Sequence, residues 1–205
     1  YGADKPGDIK YLLEIAKPQI GIVTAIGDIP AHVEFYSGPE TVAREKSRLV
    51  EAIGATGFTV LNFDDQAVLD MKERTRAHVV SYGFGEGSEM RITNFEHRLD
   101  NGRPAGISFK LEYGGSFVPV HLEDSYGKAQ TYAAAAAFQG AQRLVDQFGF
   151  DLRKVKIAIV GATGIIGKAL AFQLASVVRE RLILIGRNLK KLKDLQSLVG
   201  GNPII

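Results

Sequence analysis

Lys154-Val155-Lys156-Ile157-Ala158-Ile159-Val160-Gly161-Ala162-Thr163-Gly164-Ile165-Ile166-Gly167 reads as a buried strand that runs straight into a glycine-rich turn and a helix. Each glycine has a task in a dinucleotide-binding unit. Gly161 makes the tight exit from the strand, Gly164 lets a pyrophosphate approach backbone amides, and Gly167 lets the helix lie close to the sheet. Thr163 and Ile165 complete the turn, and the helix that Ile165 opens presents unpaired N–H groups to the phosphates. The alternative is a tight strand-to-helix turn that binds nothing.

Outward from this turn the cycle repeats. Leu182 to Ile185 is the next strand and ends in Gly186-Arg187-Asn188. An acidic residue at that edge would favour a free ribose 2′-hydroxyl, whereas arginine pairs with a 2′-phosphate, so NADP is expected rather than NAD. Arg187 and Asn188 therefore join Gly161, Thr163, Gly164, Ile165 and Gly167 as expected cofactor contacts, an ordinary surface arginine being the alternative. A helix over Leu189 to Leu198 follows, and Gly200 to Ile205 can begin another strand.

Upstream, Asp8 can cap a helix that stops at Pro18, and Ile20 to Ile26 reads as the continuous apolar strand of a parallel sheet. A loop with His32 and Glu34 leads to a helix at about Glu40 to Ile53. A short strand, Phe58 to Asn62, ends in the polar group Asn62, Asp64 and Asp65. From His78 the pattern changes to short β-prone segments: Val79 to Tyr82, Met90 to Phe95, Gly106 to Leu111 and Phe117 to His121. Asp100-Asn101-Gly102 is a strong turn signal, and an antiparallel extension is expected here. Ala129 to about Gln147 is a long helix with five consecutive alanines. The fold class is α/β: a mostly parallel sheet with flanking helices, an antiparallel extension and a Rossmann-like carboxy-terminal unit. The expected division is residues 1–128 and 129–205.

Composition excludes several classes. With 205 residues, 45% hydrophobic and 23% charged, the chain is an ordinary globular one, and the absence of cysteine removes disulfides, thiolate metal sites and cysteine nucleophiles. No apolar run approaches the roughly 20 residues that span a bilayer, and a cytoplasmic protein is expected. Residues 1–150 carry 15 Lys or Arg against 20 Asp or Glu, and residues 151–205 carry 10 against 3. The basic end suits a small phosphate-bearing nucleotide rather than nucleic acid, because its cations are scattered and lack interleaved aromatics. His78, His97 and His121 sit near strand segments and are read as structural.

At the amino-terminal end, His32 and Glu34 follow the carboxyl end of a parallel strand, the usual ligand edge of such a sheet, and Lys46 lies in the next helix. From spacing alone, a loop-bonded histidine and a surface lysine paired with a helix carboxylate remain the alternative. Ordered motifs add a resemblance. Tyr1 to Pro18, Ile22-Val23-Thr24-Ala25-Ile26-Gly27, His32-Val33-Glu34-Phe35, Val42-Ala43-Arg44-Glu45-Lys46 and Val60-Leu61-Asn62-Phe63-Asp64-Asp65 together resemble the central, ATP-binding domain of the Mur ligases, of the D-alanyl-D-alanine-adding type in peptidoglycan biosynthesis. That resemblance implies ATP and magnesium, a carbamylated Lys46 as the catalytic residue, His32 as a magnesium ligand, and activation of a carboxylate as an acyl phosphate that an amine then displaces.

Residues from the alanine-rich helix onward, with Gln147 to Leu152, Val155 to Gly167 and Leu182 to Asn188, resemble the NADP-binding domain of long-chain acyl-ACP reductases, whose cysteine nucleophile has no counterpart here. The Mur-type P-loop is not found between residues 1 and 205. The GxxxxGK match from Gly161 to Lys168 lacks the following Ser or Thr, Ala25 replaces the family's asparagine, and Ala129 stands where the family has histidine. The expected protein is a nucleotide-binding fragment, catalytically incomplete unless a second copy or a partner chain completes the site. An NADP-dependent oxidoreductase module and a non-catalytic structural protein are the competing classes.

Overall fold

The computed structural model describes residues 5–15, 17–26, 36–148, 157–160, 182–185, 189–199 and 203–204. Its chain divides into two compact units, one of residues 1–95 and 109–119, the other of residues 96–108 and 120–205.

In the first unit, α1 (Asp8–Ile15), β1 (Ile20–Val23), α2 (Pro39–Glu51) and β2 (Phe58–Asn62) alternate in the order the hydrophobic pattern predicts. The Ile9 N–H in the first turn of α1 donates to the Glu45 carboxylate at 3.0 Å. Glu45 is 4% exposed and also pairs with Arg48 at 3.0 Å, so a buried charge ties α1 to α2 with its hydrogen bonds satisfied. Along α2, Val42, Glu45, Leu49 and Val50 are buried at helical spacing, and Pro39 occupies the first turn, where its missing N–H costs nothing.

All five residues of β2 are buried, as a strand covered on both faces requires. β1 pairs with β2 in parallel, Ile20 opposite Phe58 through Val23 opposite Leu61. Ile9, Val23, Val42, Leu49, Val50, Leu61, Val68 and Met71 form one core between this sheet and its helices. Gly21 lets the sheet approach α2: a Cβ there would lie 3.3 Å from both Leu49 and Ile53 side-chain carbons.

β3 (His78–Gly83) corrects one expectation. It pairs in parallel with β2, Phe58 opposite His78 through Asn62 opposite Tyr82, and does not belong to an antiparallel extension. The connection explains it, because α3 (Gln66–Leu69) and a 3₁₀ turn (Asp70–Arg74) supply the crossover that parallel neighbours need. β4 (Met90–Asp100) is also parallel to β3, through Tyr82 opposite Met90 and Gly83 opposite Arg91.

The antiparallel part begins after β4. β4, β5 (Arg103–Tyr113) and β6 (Ser116–Glu123) follow one another in a six-stranded order β1 to β6. The two connections are two-residue turns, Asn101-Gly102 with φ of 48° and 75° and Gly114-Gly115 with φ of 57° and 77°. Positive φ at both central residues is the turn whose twist matches paired strands, and Asn-Gly and Gly-Gly supply it without a Cβ penalty at the glycines. Pro119 lies within β6, the last strand in this order.

The second unit also holds α4 (Lys128–Phe148), the parallel pair β7 (Ile157–Val160) and β8 (Leu182–Ile185), and α5 (Leu189–Val199). Leu184 N–H donates to Ile204 O at 2.7 Å, so the tail adds a strand position beside β8.

Two substitutions test this packing. Leu61, wholly buried, should cost about 2–5 kcal/mol when changed to Ala, as core deletions do. Gly57→Ala should cost about 1–3 kcal/mol in urea unfolding, because its Cβ would meet the Gln19 carbonyl, which already accepts Phe58 N–H at 2.9 Å. A wild-type unfolding midpoint for Gly57→Ala would refute the β1–β2 contact.

Candidate functional site

Parallel pairing of β1, β2 and β3 brings their carboxyl ends to one edge, where ligands of open α/β sheets bind. Three consecutive residues after β1 are each held by a side chain from another element. Asn62, the last residue of β2, donates from Nδ2 to Thr24 O at 2.9 Å. Lys46 Nζ, from α2, donates to Ala25 O at 2.8 Å. Ile26 N–H donates to Asp65 Oδ2 at 2.8 Å.

Asp65 has a second duty. Its Oδ1 accepts Val68 N–H at 3.1 Å, capping α3. The neighbouring Asp64 takes the Phe84 N–H at 2.6 Å on Oδ2 and the Gly85 N–H at 2.9 Å on Oδ1. Asn62 Oδ1 in turn accepts Asp64 N–H at 3.0 Å. The polar group read at the end of β2 is thus real, and it works as a set of clamps on the loops after β1 and β3. Sequence reasoning missed the loop after β3, where Gly83-Phe84-Gly85-Glu86-Gly87 alternates glycines. A Cβ at Gly83 would lie 2.8 Å from Asp64 Oδ2, and Cβ atoms at Gly85 and Gly87 would lie 2.6 and 2.7 Å from the Phe63 ring. That alternation was the available signal.

Lys46 is half-buried at this edge. Burial pushes its ammonium below the ordinary value of 10.5, and the negative charge of Asp65 works in the opposite direction. The partner of its amino group is a backbone carbonyl and not a helix carboxylate. The net effect is a proton held less tightly than on an exposed lysine.

Magnesium prefers several oxygen ligands in an octahedron. Among the described residues no group of three or more His, Cys, Asp or Glu could hold a metal ion, and each oxygen of Asp64 and Asp65 already accepts a backbone N–H. His32, the expected magnesium ligand, and Glu34 lie outside the described residues. So do Gly161, Thr163, Gly164, Ile165, Gly167, Arg187 and Asn188, although the strands that lead to them, β7 and β8, are adjacent and parallel as expected. His78 stacks on Phe58 with ring centroids 5.3 Å apart, and His97 Nε2 lies 3.0 Å from Tyr126 O, both structural contacts.

Residues 1–138 match the Mur ligase middle domain. The chain belongs to that family. A UDP-N-acetylmuramoyl-tripeptide--D-alanyl-D-alanine ligase from Mycobacterium leprae is 40% identical over 86 residues, 42% of this chain and 16% of that ligase. The ligase of the same description from Mycobacterium tuberculosis is 42% identical over 74 residues, 36% of this chain and 14% of its own length. The matched part is thus about one sixth of these curated relatives.

Among solved structures, MurF ligase from Thermotoga maritima in complex with ADP has a TM-score of 0.59 at 18% identity, covering 98% of this chain and 61% of that one. MurF from Acinetobacter baumannii gives 0.58 at 18% identity, with 98% and 54% covered. These likenesses establish the α/β fold with its mixed sheet and flanking helices.

Family membership corrects the cofactor expectation. It points to ATP with magnesium and not to NADP, and the resemblance to acyl-ACP reductases gains no support. The error has a physical source. A strand, a glycine turn and a helix N-terminus suit any phosphate, so the choice of NADP rested on the single cation Arg187. Among the described residues no helix is long and apolar enough to cross a membrane.

The lowered Lys46 value has a defined pH signature. Between the folded value and 10.5 the unfolded chain binds more protons, so stability rises with pH through that window. Wild type should therefore gain stability relative to Lys46→Met as pH climbs toward 10.5, followed by urea midpoints of the two proteins. Parallel pH profiles would show that burial does not act on this amine.

Proposed function

We propose that this chain is the nucleotide-handling part of an ATP-dependent, peptidoglycan-precursor ligase of the D-alanyl-D-alanine-adding type, acting in the cytoplasm. The observation that carries the reading is Lys46. It lies at the carboxyl edge of the parallel strands, in the segment Val42 to Lys46, with its amine half-buried and shifted toward the neutral form. Only a neutral amine attacks carbon dioxide. Carbamylation forms a bond from Nζ to the carbon of CO2 and releases one proton from nitrogen, replacing a cation with an oxygen-rich anion. Such a group suits a site that manages magnesium and phosphate oxygens together.

In this reading His32 would hold magnesium, and ATP with magnesium would supply the phosphoryl group for activating a substrate carboxylate. An amine then displaces phosphate to form the amide. Asn62, Asp64 and Asp65 hold the loops around that chemistry. A Rossmann-like arrangement within residues 129–205 is supported by the parallel pair β7 and β8 and by the strand position at Ile204.

Supplying 13C-labelled bicarbonate should give one carbamate carbon resonance in the wild-type chain and none in Lys46→Arg, whose guanidinium stays protonated. Calorimetry with ATP and magnesium should show saturable binding. Absence of both signals in the folded wild-type chain would favour a non-catalytic structural role.

A further inference from the structure

Lys46 and Asp65 grip the two ends of a single peptide unit. The carbonyl between Ala25 and Ile26 accepts Lys46 Nζ at 2.8 Å, and the N–H of the same unit donates to Asp65 Oδ2 at 2.8 Å. In a trans peptide these groups point in opposite directions, and no cis bond is present among the described residues. A cation therefore stands at the negative end of one peptide dipole and an anion at its positive end. Turning the plane over would aim N–H at ammonium and carbonyl at carboxylate, so both charges oppose the turn.

Asp65 is itself anchored. Its other oxygen caps α3 through Val68 N–H, and it sits three residues beyond Asn62, which holds the preceding carbonyl of Thr24. The plane of this peptide is thus fixed from β2 and α3, and the place of the lysine amine follows from where that carbonyl points.

We infer that Asp65 is a positioning residue for Lys46, acting through the Ala25–Ile26 peptide that lies between them. Asp65 sets the peptide plane, the plane presents its carbonyl, and the carbonyl holds Nζ. Either chemical form of Lys46 can use it, since a carbamate keeps one N–H to donate. This inference rests on the reading of Lys46 as the reactive residue of the site.

Brief acetylation of the full chain with N-hydroxysulfosuccinimidyl acetate, followed by peptide mass spectrometry, reads the effect. Labelling of Lys46 is scored against exposed Lys72. Asp65→Asn should raise the Lys46 to Lys72 ratio several-fold even at a pH where both amines are deprotonated, which removes the direct effect of the Asp65 charge on the lysine proton, and Asp65→Glu should bring it back toward wild type. Asp64→Asn is the control, because Asp64 holds Phe84 and Gly85 and not this peptide. A wild-type ratio in Asp65→Asn, or an equal rise in Asp64→Asn, overturns the inference.

A second measurement does not need an Asp65 variant to fold. In Lys46→Met, amide hydrogen exchange at Ile26 should quicken several-fold while Val68, held by the same carboxylate, keeps its wild-type rate. Unchanged exchange at Ile26 overturns the inference. Loss of the 13C carbamate signal from wild type with these effects intact would remove the proposed function alone. An intact carbamate signal without them would remove only the link through the peptide.

Discussion

The carboxylate of Asp65 joins two parts of the chain that the sequence separates widely. One oxygen holds Ile26 just past β1, and the other starts α3 just past β2. Around it, the parallel pairing of β1, β2 and β3 aligns three strand ends, and Asn62, Asp64 and Lys46 add their own hydrogen bonds to the loops that leave them. Buried or half-buried polar groups are tolerated at such a place because nearly every one finds a backbone partner. The site is therefore built mostly from side chain to main chain contacts, which fix loops instead of binding one another.

This arrangement gives Lys46 an ordered amine whose proton affinity is lowered. A lysine paired directly with a carboxylate would be held as a cation. Here burial acts first and favours the neutral amine, the charge of Asp65 moderates that effect, and the hydrogen bond goes to an uncharged carbonyl. These residues lie within the stretch that matches the Mur ligase middle domain.

Much of the fold was legible because periodicity reports burial. β2 and the helix α2 emerge close to their observed bounds, as does β8, and Asn101-Gly102 marks its turn since few other residue pairs accept two positive φ values. The direction of β3 was not legible. It depends on the crossover through Gln66–Arg74, a four-residue helix and a 3₁₀ turn too short to show a helical repeat. The acceptor of the Lys46 amine, the Ala25 carbonyl, has no side-chain signature at all. The glycines at 83, 85 and 87 were overlooked because their reason is the Phe63 ring and the Asp64 carboxylate, contacts that exist only after folding. Arg187 misled for the opposite reason, since one cation was made to choose between nucleotides.

Pro119 gives the far end of the sheet a different character. β6 is the last strand in the order, and a proline there withholds one of the amide donors that a foreign strand would need for a continuous ladder. Exposed Phe117 and Val118 lie just before it, apolar residues that would otherwise reward such stacking. The ring thus acts as a gatekeeper, discouraging the sheet from propagating into neighbouring molecules and toward fibrous aggregates.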